Sequence, residues 1–195
     1  MEKYDDLSFN IRSAFRLLIH YNERIISLIK YIGKKFKLNS VSDNTPWFTP
    51  ILQDRNNLTK RDKAFNWLPM YFHEFHFENK DIQFSVFVHS DTGSWVDPDL
   101  DWVDEIDNYE DLNSSKTRII FAITNSKKWE SDIITEEYYN DFLKDENIIT
   151  YKKEIIICKS FELIDFKDEK TTNNTLKRYI EYIKNKGIIN IEYEE

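Results

Sequence analysis

The stretch that decides the fold is YFHEFHFENKDIQFSVFVH, residues Tyr71 to His89. It joins two runs of alternating apolar and polar residues through the polar letters ENKD, a pattern that predicts two strands and a turn. With ENKD as the turn, alternation places Phe75 opposite Phe84 on one face and Glu74 opposite Ser85 on the other. We therefore predict an antiparallel hairpin with one apolar face toward the core and one polar, solvated face.

Three of the chain's four histidines lie in this hairpin. The zinc protease motif has two histidines four residues apart on a helix, whereas His73 and His76 are three apart on a predicted strand and point to opposite faces. The letters HEFH therefore predict no metal site. Glu74 and His76 share the polar face, with His76 predicted opposite Gln83, and a carboxylate near an imidazole is an alternative candidate acid/base pair.

Length and composition indicate a single domain over residues 1–195. The chain is 41% hydrophobic and 15% aromatic, which is sufficient for a core of its own. Its one cysteine, Cys158, lies in the apolar run EIIICKSF, which excludes an internal disulfide and predicts a buried small side chain. Acidic residues begin the chain and charges interrupt every apolar run, so we expect a cytoplasmic protein without a membrane segment.

The net charge of −8 is unevenly distributed along the chain. Residues 1–90 hold 13 basic and 10 acidic residues, a net of +3, whereas residues 91–195 hold 14 and 25, a net of −11. The segment 91–111 contains nine acidic residues and no basic one. A surface of this kind repels nucleic acids and attracts cations or basic proteins, so we expect a basic protein partner.

Aromatic residues alternate with these carboxylates, as in the anchors of protein interfaces. The candidate interface residues are Trp95, Asp97, Asp99, Asp101, Trp102, Asp104, Glu105 and Tyr109. The aspartates recur every second residue as in calcium loops, but the EF-hand positions for glycine and glutamate hold Trp102 and Asn108. A cation site of another kind remains an alternative, and we predict no cofactor and no bound metal.

Helical spacing of apolar residues over 8–37 predicts a long first helix with Ser8 as its cap and basic residues on its outer face. A solvated face is the favoured interpretation of that basic stripe over a nucleic-acid or membrane surface. Other patterns predict an irregular segment at 39–58, a short helix from Thr59, a strand at 117–125, a helix at 135–145, a central strand within 151–166, a helix within 171–187 and a short strand at 188–194. The predicted fold is α+β, with a mostly antiparallel sheet of about four to five strands packed by the N-terminal and C-terminal helices.

The charge pattern favours a non-enzymatic binding or inhibitor protein, of the immunity type or from a phage or defence system. Such a protein would engage a basic partner through the acidic, aromatic-rich loop 91–111. A small-molecule pocket lined by Trp47, Phe48 and Trp67 is a further hypothesis, and these side chains are otherwise expected to close one end of the core.

The order of predicted elements resembles the restriction-endonuclease-like core. The alternative function is a metal-dependent hydrolase or nuclease of this topology, and its candidate site residues in this sequence are Glu74, His76 and Asp97 or Asp99. That family carries a Glu-x-Lys motif, which the predicted third strand lacks, and Glu154 and Lys159 lie five residues apart. The resemblance is therefore one of element order alone.

Overall fold

A computed structural model describes residues 2–44, 72–94, 109–125, 141–142, 144–151, 154–188 and 191–194. In these residues two α-helices pack on a six-stranded antiparallel sheet, which confirms the α+β fold and adds one strand to the predicted maximum. The helices are α1 Glu2–Lys35 and α2 Glu169–Asn185. The strands are β1 Asn39–Asn44, β2 Phe72–Glu78, β3 Gln83–His89, β4 Arg118–Thr124, β5 Glu146–Tyr151 and β6 Glu154–Glu162, in the order β1-β2-β3-β4-β6-β5.

The turn between β2 and β3 is wider than predicted. Glu78 pairs with Gln83, so four loop residues separate the strands. The Asn79 side chain accepts hydrogen bonds from the backbone N–H groups of Asp81 at 2.8 Å and Ile82 at 3.0 Å. An asparagine that bonds the following backbone in this way stabilises the longer loop.

The wider turn shifts the register of the hairpin by two residues. Glu74 lies opposite Phe87 and His76 lies opposite Ser85, so the predicted pairs Glu74–Ser85 and His76–Gln83 are wrong. Because side chains alternate with a period of two, this shift changes the cross-strand partners but keeps every side chain on its predicted face. The prediction that the two histidines of HEFH point to opposite faces is confirmed.

Both helices pack on the face of the sheet that carries Phe84 and Phe121. The helix residues in this core are Ile25, Leu28, Ile29, Ile32 and Phe36 of α1 and Leu176, Tyr179, Ile180 and Ile183 of α2. The Phe121 ring centroid lies 5.3 Å from that of Phe84 and 4.9 Å from that of Tyr179, both in edge-to-face geometry. The core is therefore aromatic where the two helices meet over the central strands.

The sheet differs from the prediction at three places. Residues 39–44 were expected to be irregular but form the edge strand β1, whose polar letters NSVSDN suit a strand with a neighbour on one side only. The strand β5 was not predicted either. The strand β6 was expected at the middle of the sheet, yet it lies second from the edge, and its apolar residues on both faces reflect a sheet that is buried on both faces.

The start of α1 differs from the prediction, whereas the end of α2 agrees with it. Ser8 was expected to cap α1, but the helix already begins at Glu2 and Ser8 lies inside it. In α2, Asp168 accepts a hydrogen bond from the backbone N–H of Thr171 at 2.8 Å, and this bond lowers the pKa of Asp168. The predicted stop is confirmed, because Gly187 has a φ of 95°, a conformation that glycine adopts without strain.

Several predicted features fall at the margins of the structure or outside the described residues. The final segment was expected to be a strand, but residues 191–194 are irregular, and the Glu194 N–H donates to the Lys35 carbonyl at 2.8 Å. The predicted helix from Thr59, the aromatic side chains Trp47, Phe48 and Trp67, and most of the predicted helix 135–145 lie outside the described residues. Neither helix of the described part contains a stretch that is long and apolar enough to cross a membrane.

Candidate functional site

The face of the sheet opposite the helices carries Glu74 and His76 and is buried, not solvated. Glu74 and His89 have an exposed fraction of 0%, and Ser85 of 1%. On this face Phe142 also packs on Phe87, with ring centroids 5.5 Å apart. The predicted solvated face is wrong, because the protein buries both faces of the central strands and these polar side chains must find partners within it.

Glu74, His76 and Ser85 form a connected row, called here the buried row. The Glu74 Oε2 atom lies 3.0 Å from His76 Nε2. The His76 Nδ1 atom lies 2.7 Å from the Ser85 hydroxyl oxygen, at hydrogen-bond distance. Strand alternation puts Glu74 and His76 on one face, and the shifted register puts Ser85 beside the imidazole. The sequence therefore identified the face of Ser85 but not its partner.

The buried row holds an imidazole between a carboxylate and a hydroxyl group. A carboxylate at one ring nitrogen fixes the tautomer, and the other nitrogen can then exchange a proton with its neighbour. Ser85 is 1% exposed and Glu74 is fully buried, whereas 14% of the His76 side-chain surface is exposed. His76 is therefore the one partly exposed member of the row, so the row suits a proton-accepting histidine better than a serine nucleophile.

Burial keeps two titratable groups on this face neutral at physiological pH. His89 pairs with Arg118 on β4, and its burial lowers its pKa from 6.5 to about 3, against an opposing hydrogen bond to the backbone of Asp91. Burial also raises the pKa of the Cys158 thiol, whose side chain is fully buried as predicted. Neither group therefore offers a charged acid or a thiolate for catalysis.

A cleft of about 390 Å³ lies on the other face of the sheet, between α1 and the strands β1 and β2. His73 and Phe75 line it from the sheet, and Lys30 and Lys34 line it from the helix. His73 and His76 therefore have different surroundings on opposite faces of the sheet.

The acidic segment 91–111 begins and ends at one point beside β3 and β4. The Glu110 N–H donates to the Gly93 carbonyl at 2.8 Å, and the Thr92 N–H donates to the Lys116 carbonyl at 3.0 Å. The Thr92 hydroxyl accepts in turn from the Lys116 N–H at 2.9 Å. A Cβ atom at Gly93 would lie 3.2 Å from the Glu110 carbonyl oxygen, so this close crossing favours glycine. We call this arrangement the closed base.

Two of the nine acidic residues stabilise the closed base and its flank. The Asp91 carboxylate accepts from the Gly93 N–H at 2.9 Å, and the Asp111 carboxylate accepts from the Asn113 N–H at 2.8 Å. Of the predicted interface residues Tyr109 is described, and it is partly buried. The others lie outside the described residues: Trp95, Asp97, Asp99, Asp101, Trp102, Asp104 and Glu105.

The described residues give no support to a metal centre. Within them, no group of three or more His, Cys, Asp or Glu side chains is arranged to hold a metal ion. Glu154 is exposed at the start of β6, while Lys159 lies on the opposite face of that strand and forms an ion pair with Glu146. These positions do not bring together a Glu-x-Lys arrangement of the nuclease type.

One family model matches the chain, and it is described as PM0109. The match covers residues 1–190, which include both helices and all six strands of the described part. No curated protein and no solved structure shows significant similarity to the chain. The designation of the family names no activity, so the function has to be argued from the residues themselves.

Proposed function

The chain belongs to the PM0109 family, and we propose that it is a cytoplasmic, non-enzymatic binding protein that engages a basic protein through the acidic segment 91–111. An immunity protein or an inhibitor of a basic enzyme is the form of this function that the charge favours. Nine carboxylates without a lysine or arginine give the segment a strong negative field. The observation that carries the proposal is the closed base, in which Gly93 and Glu110 hold the two ends together.

A segment with fixed ends is suited to binding. Fixed ends remove the entropy cost of bringing the two ends of a segment together, so a partner does not have to offset that cost on binding. Trp95, Trp102 and Tyr109 supply apolar area that can anchor a partner. The carboxylates between them accelerate the encounter with a basic surface and disfavour acidic partners, including nucleic acids.

We expect charge neutralisation within the segment to weaken binding of a Lys/Arg-rich peptide. The triple variant Asp99→Asn, Asp101→Asn and Asp104→Asn should lose affinity roughly tenfold, because exposed charge pairs contribute about 0.2–1 kcal/mol each. Binding by the unmodified protein should weaken as salt is added, because the Debye length falls from about 10 Å at 0.1 M to about 3 Å at 1 M. Calorimetric titration at several salt concentrations measures both effects.

A matched control removes three carboxylates from exposed positions elsewhere. The variant Glu154→Gln, Glu181→Gln and Glu194→Gln carries the same net charge as the test variant. It should keep nearly all of the affinity, because its substitutions leave the local field of segment 91–111 intact. An equal loss in both triple variants, or an affinity that does not respond to salt, would contradict charge-led recognition by this segment.

The buried row supports a second candidate function, a hydrolase of phosphodiesters or esters. In this alternative His76 accepts a proton in the reaction, and Glu74 holds the ring in position at 3.0 Å. A metal-dependent form of the reaction would draw its carboxylates from Asp97 or Asp99, which lie outside the described residues. The specific observation in its favour is the limited exposure of His76 between two polar groups that are shielded from solvent.

For a hydrolase of this kind, His76→Ala abolishes hydrolysis of nucleic acid and ester substrates, assayed with and without Mg²⁺ or Mn²⁺. The matched control is His73→Ala on the opposite face, which removes the same side chain from a different environment and should keep the activity. Unmodified protein that hydrolyses none of these substrates removes the alternative and leaves the binding proposal standing.

A further inference from the structure

The first helix is longer than the sheet on which it packs. Its 34 residues span about 51 Å at a rise of about 1.5 Å per residue. The longest dimension of the sheet is close to 30 Å, since its strands are at most nine residues long and six strands lie about 4.8 Å apart. A large part of α1 therefore extends beyond the sheet.

The extended part is residues 6–20, called here the overhang. All fifteen of its residues are exposed to solvent, and seven of them have large apolar side chains. Their exposed fractions are 56% for Leu7, 63% for Phe9, 49% for Ile11, 63% for Phe15, 72% for Leu17, 40% for Leu18 and 56% for Ile19. Seven such side chains in fifteen residues exceed what a solvated helix surface carries.

The overhang continues the stripe by which α1 packs on its own sheet. The apolar positions Leu7, Ile11, Ala14, Leu18, Tyr21, Ile25, Leu28 and Ile32 alternate in steps of four and three. This is the seam of a helix that packs along another helix. From Tyr21 onward the seam is covered by the core, and before Tyr21 it is bare.

We propose that the overhang pairs with the overhang of a second copy of this chain, in antiparallel orientation. The centre of the pair lies between Ile11 and Ala14, so that Leu7 of one copy faces Leu18 of the other. In this register the overlap ends where the core of each copy begins to cover its own seam, near Tyr21. The exposed part of α1 is therefore as long as the overlap between the two helices in the proposed pair.

The charges of α1 favour an antiparallel arrangement over a parallel one. The first turns carry Glu2, Asp5 and Asp6, and the later turns carry Arg12 and Arg16. Antiparallel pairing opposes the two helix dipoles, and in the register above it places Asp5 and Asp6 of one helix beside His20 and Ile19 of the other. Parallel pairing would place like charges side by side and bring both sheets to the same end of the pair, where each seam is already covered.

The apolar area of the overhang is sufficient for a stable contact. Five of the seven exposed large side chains lie on or beside the seam: Leu7, Ile11, Phe15, Leu17 and Leu18. Stable interfaces bury about 800 Å² per partner, and five half-exposed side chains of this size with the intervening residues supply area of that order. This surface is separate from segment 91–111, so the pairing stands or falls independently of the proposed function.

Sedimentation velocity over a range of concentrations tests the pairing. The unmodified protein should be a dimer, and the variant Ile11→Glu with Phe15→Glu should dissociate at least about a hundredfold more readily, because like charges opposed across an interface are strongly unfavourable. The matched control is Phe9→Glu with Ile19→Glu, which adds the same charges to a Phe and an Ile of similar exposure on the outer side of the same helix. The control should remain a dimer.

Each other outcome overturns the proposal. A protein that is monomeric up to roughly 100 µM does not form this pair, and equal behaviour of the two double variants means that the seam is not the contact. Circular dichroism shows whether the test variant folds, and Leu18→Glu alone provides a second variant at an exposed seam position. A dimer that persists in both seam variants would contradict the pairing.

Spin labels determine the orientation of the two helices. Labels at Ser13→Cys lie close to the centre of an antiparallel pair, and labels at His20→Cys lie farther apart by about 20 Å along the helix axis. The native Cys158 is buried and takes no label. Equal distances at the two positions would indicate parallel pairing and contradict the proposed arrangement.

Discussion

Between pH 6.5 and pH 3 the free energy of unfolding falls more steeply for the unmodified protein than for His89→Gln, by up to about 1.4 kcal/mol per pH unit. The reason is the burial of His89, which lowers its pKa from 6.5 to about 3. The unfolded chain binds a proton at this residue below pH 6.5, whereas the folded protein binds it only near pH 3. Stability from the neutral ring is therefore complete above pH 6.5 and is lost as the pH falls through this range.

Urea unfolding at pH 7, 6, 5 and 4 measures the difference in slope between the two proteins. The matched control is His20→Gln, because the His20 side chain is 78% exposed and contacts Glu23 on the surface of α1. It should keep the steep pH dependence of the unmodified protein. Parallel curves for the unmodified protein and His89→Gln would show that His89 is protonated equally in both states, contrary to its burial.

Phe121→Ala should lower the free energy of unfolding by about 3–5 kcal/mol, the usual cost of removing a fully buried aromatic side chain. Phe121 has no exposed surface and lies on the central strand β4. Its ring centroid lies 5.0 Å from that of Phe161 and 5.8 Å from that of Phe166, in addition to its contacts with Phe84 and Tyr179. Truncation therefore leaves a cavity between the sheet and α2, because the neighbouring aromatic rings cannot all move to fill the space.

Thermal and urea unfolding measure this loss, which is a large fraction of the roughly 5–15 kcal/mol that stabilises a typical domain. Phe9→Ala is the matched control, because Phe9 is 63% exposed on the outer side of α1. Its effect should stay within about 0.5 kcal/mol. A loss below about 1 kcal/mol for Phe121→Ala would mean that the core rearranges to fill the space.

Local patterns in the sequence were sufficient for the main elements of the fold. The 3 and 4 spacing of apolar residues predicted α1 and α2, and the alternation in Tyr71–His89 predicted the hairpin. The polar edge strand β1 was missed because its letters carry no apolar alternation, and it becomes a strand through pairing with β2. The predicted central position of β6 was wrong, because an apolar run indicates that both faces of a strand are buried and does not indicate how many strands lie on either side of it.

In the candidate site, strand alternation also predicted some features, and the tertiary structure decided the others. Alternation alone placed Glu74 and His76 together and His73 apart, since the direction of a side chain in a strand follows from its parity. The contact between His76 and Ser85 depended on the turn, because the Asn79 side chain set a loop of four residues and moved the register by two. Burial of the row depended on the whole chain, which encloses a face whose polar letters alone indicate solvent.

The sequence by itself therefore determined the α+β class, the two helices, the hairpin and the acidic character of segment 91–111, because period and charge are properties of neighbouring residues. Tertiary structure alone decided that Glu74 is shielded from water, that Gly93 and Glu110 meet to close the acidic segment, and that α1 extends past its sheet. Each of these depends on contacts between residues that are distant in sequence, and their free energies are not encoded in any local pattern.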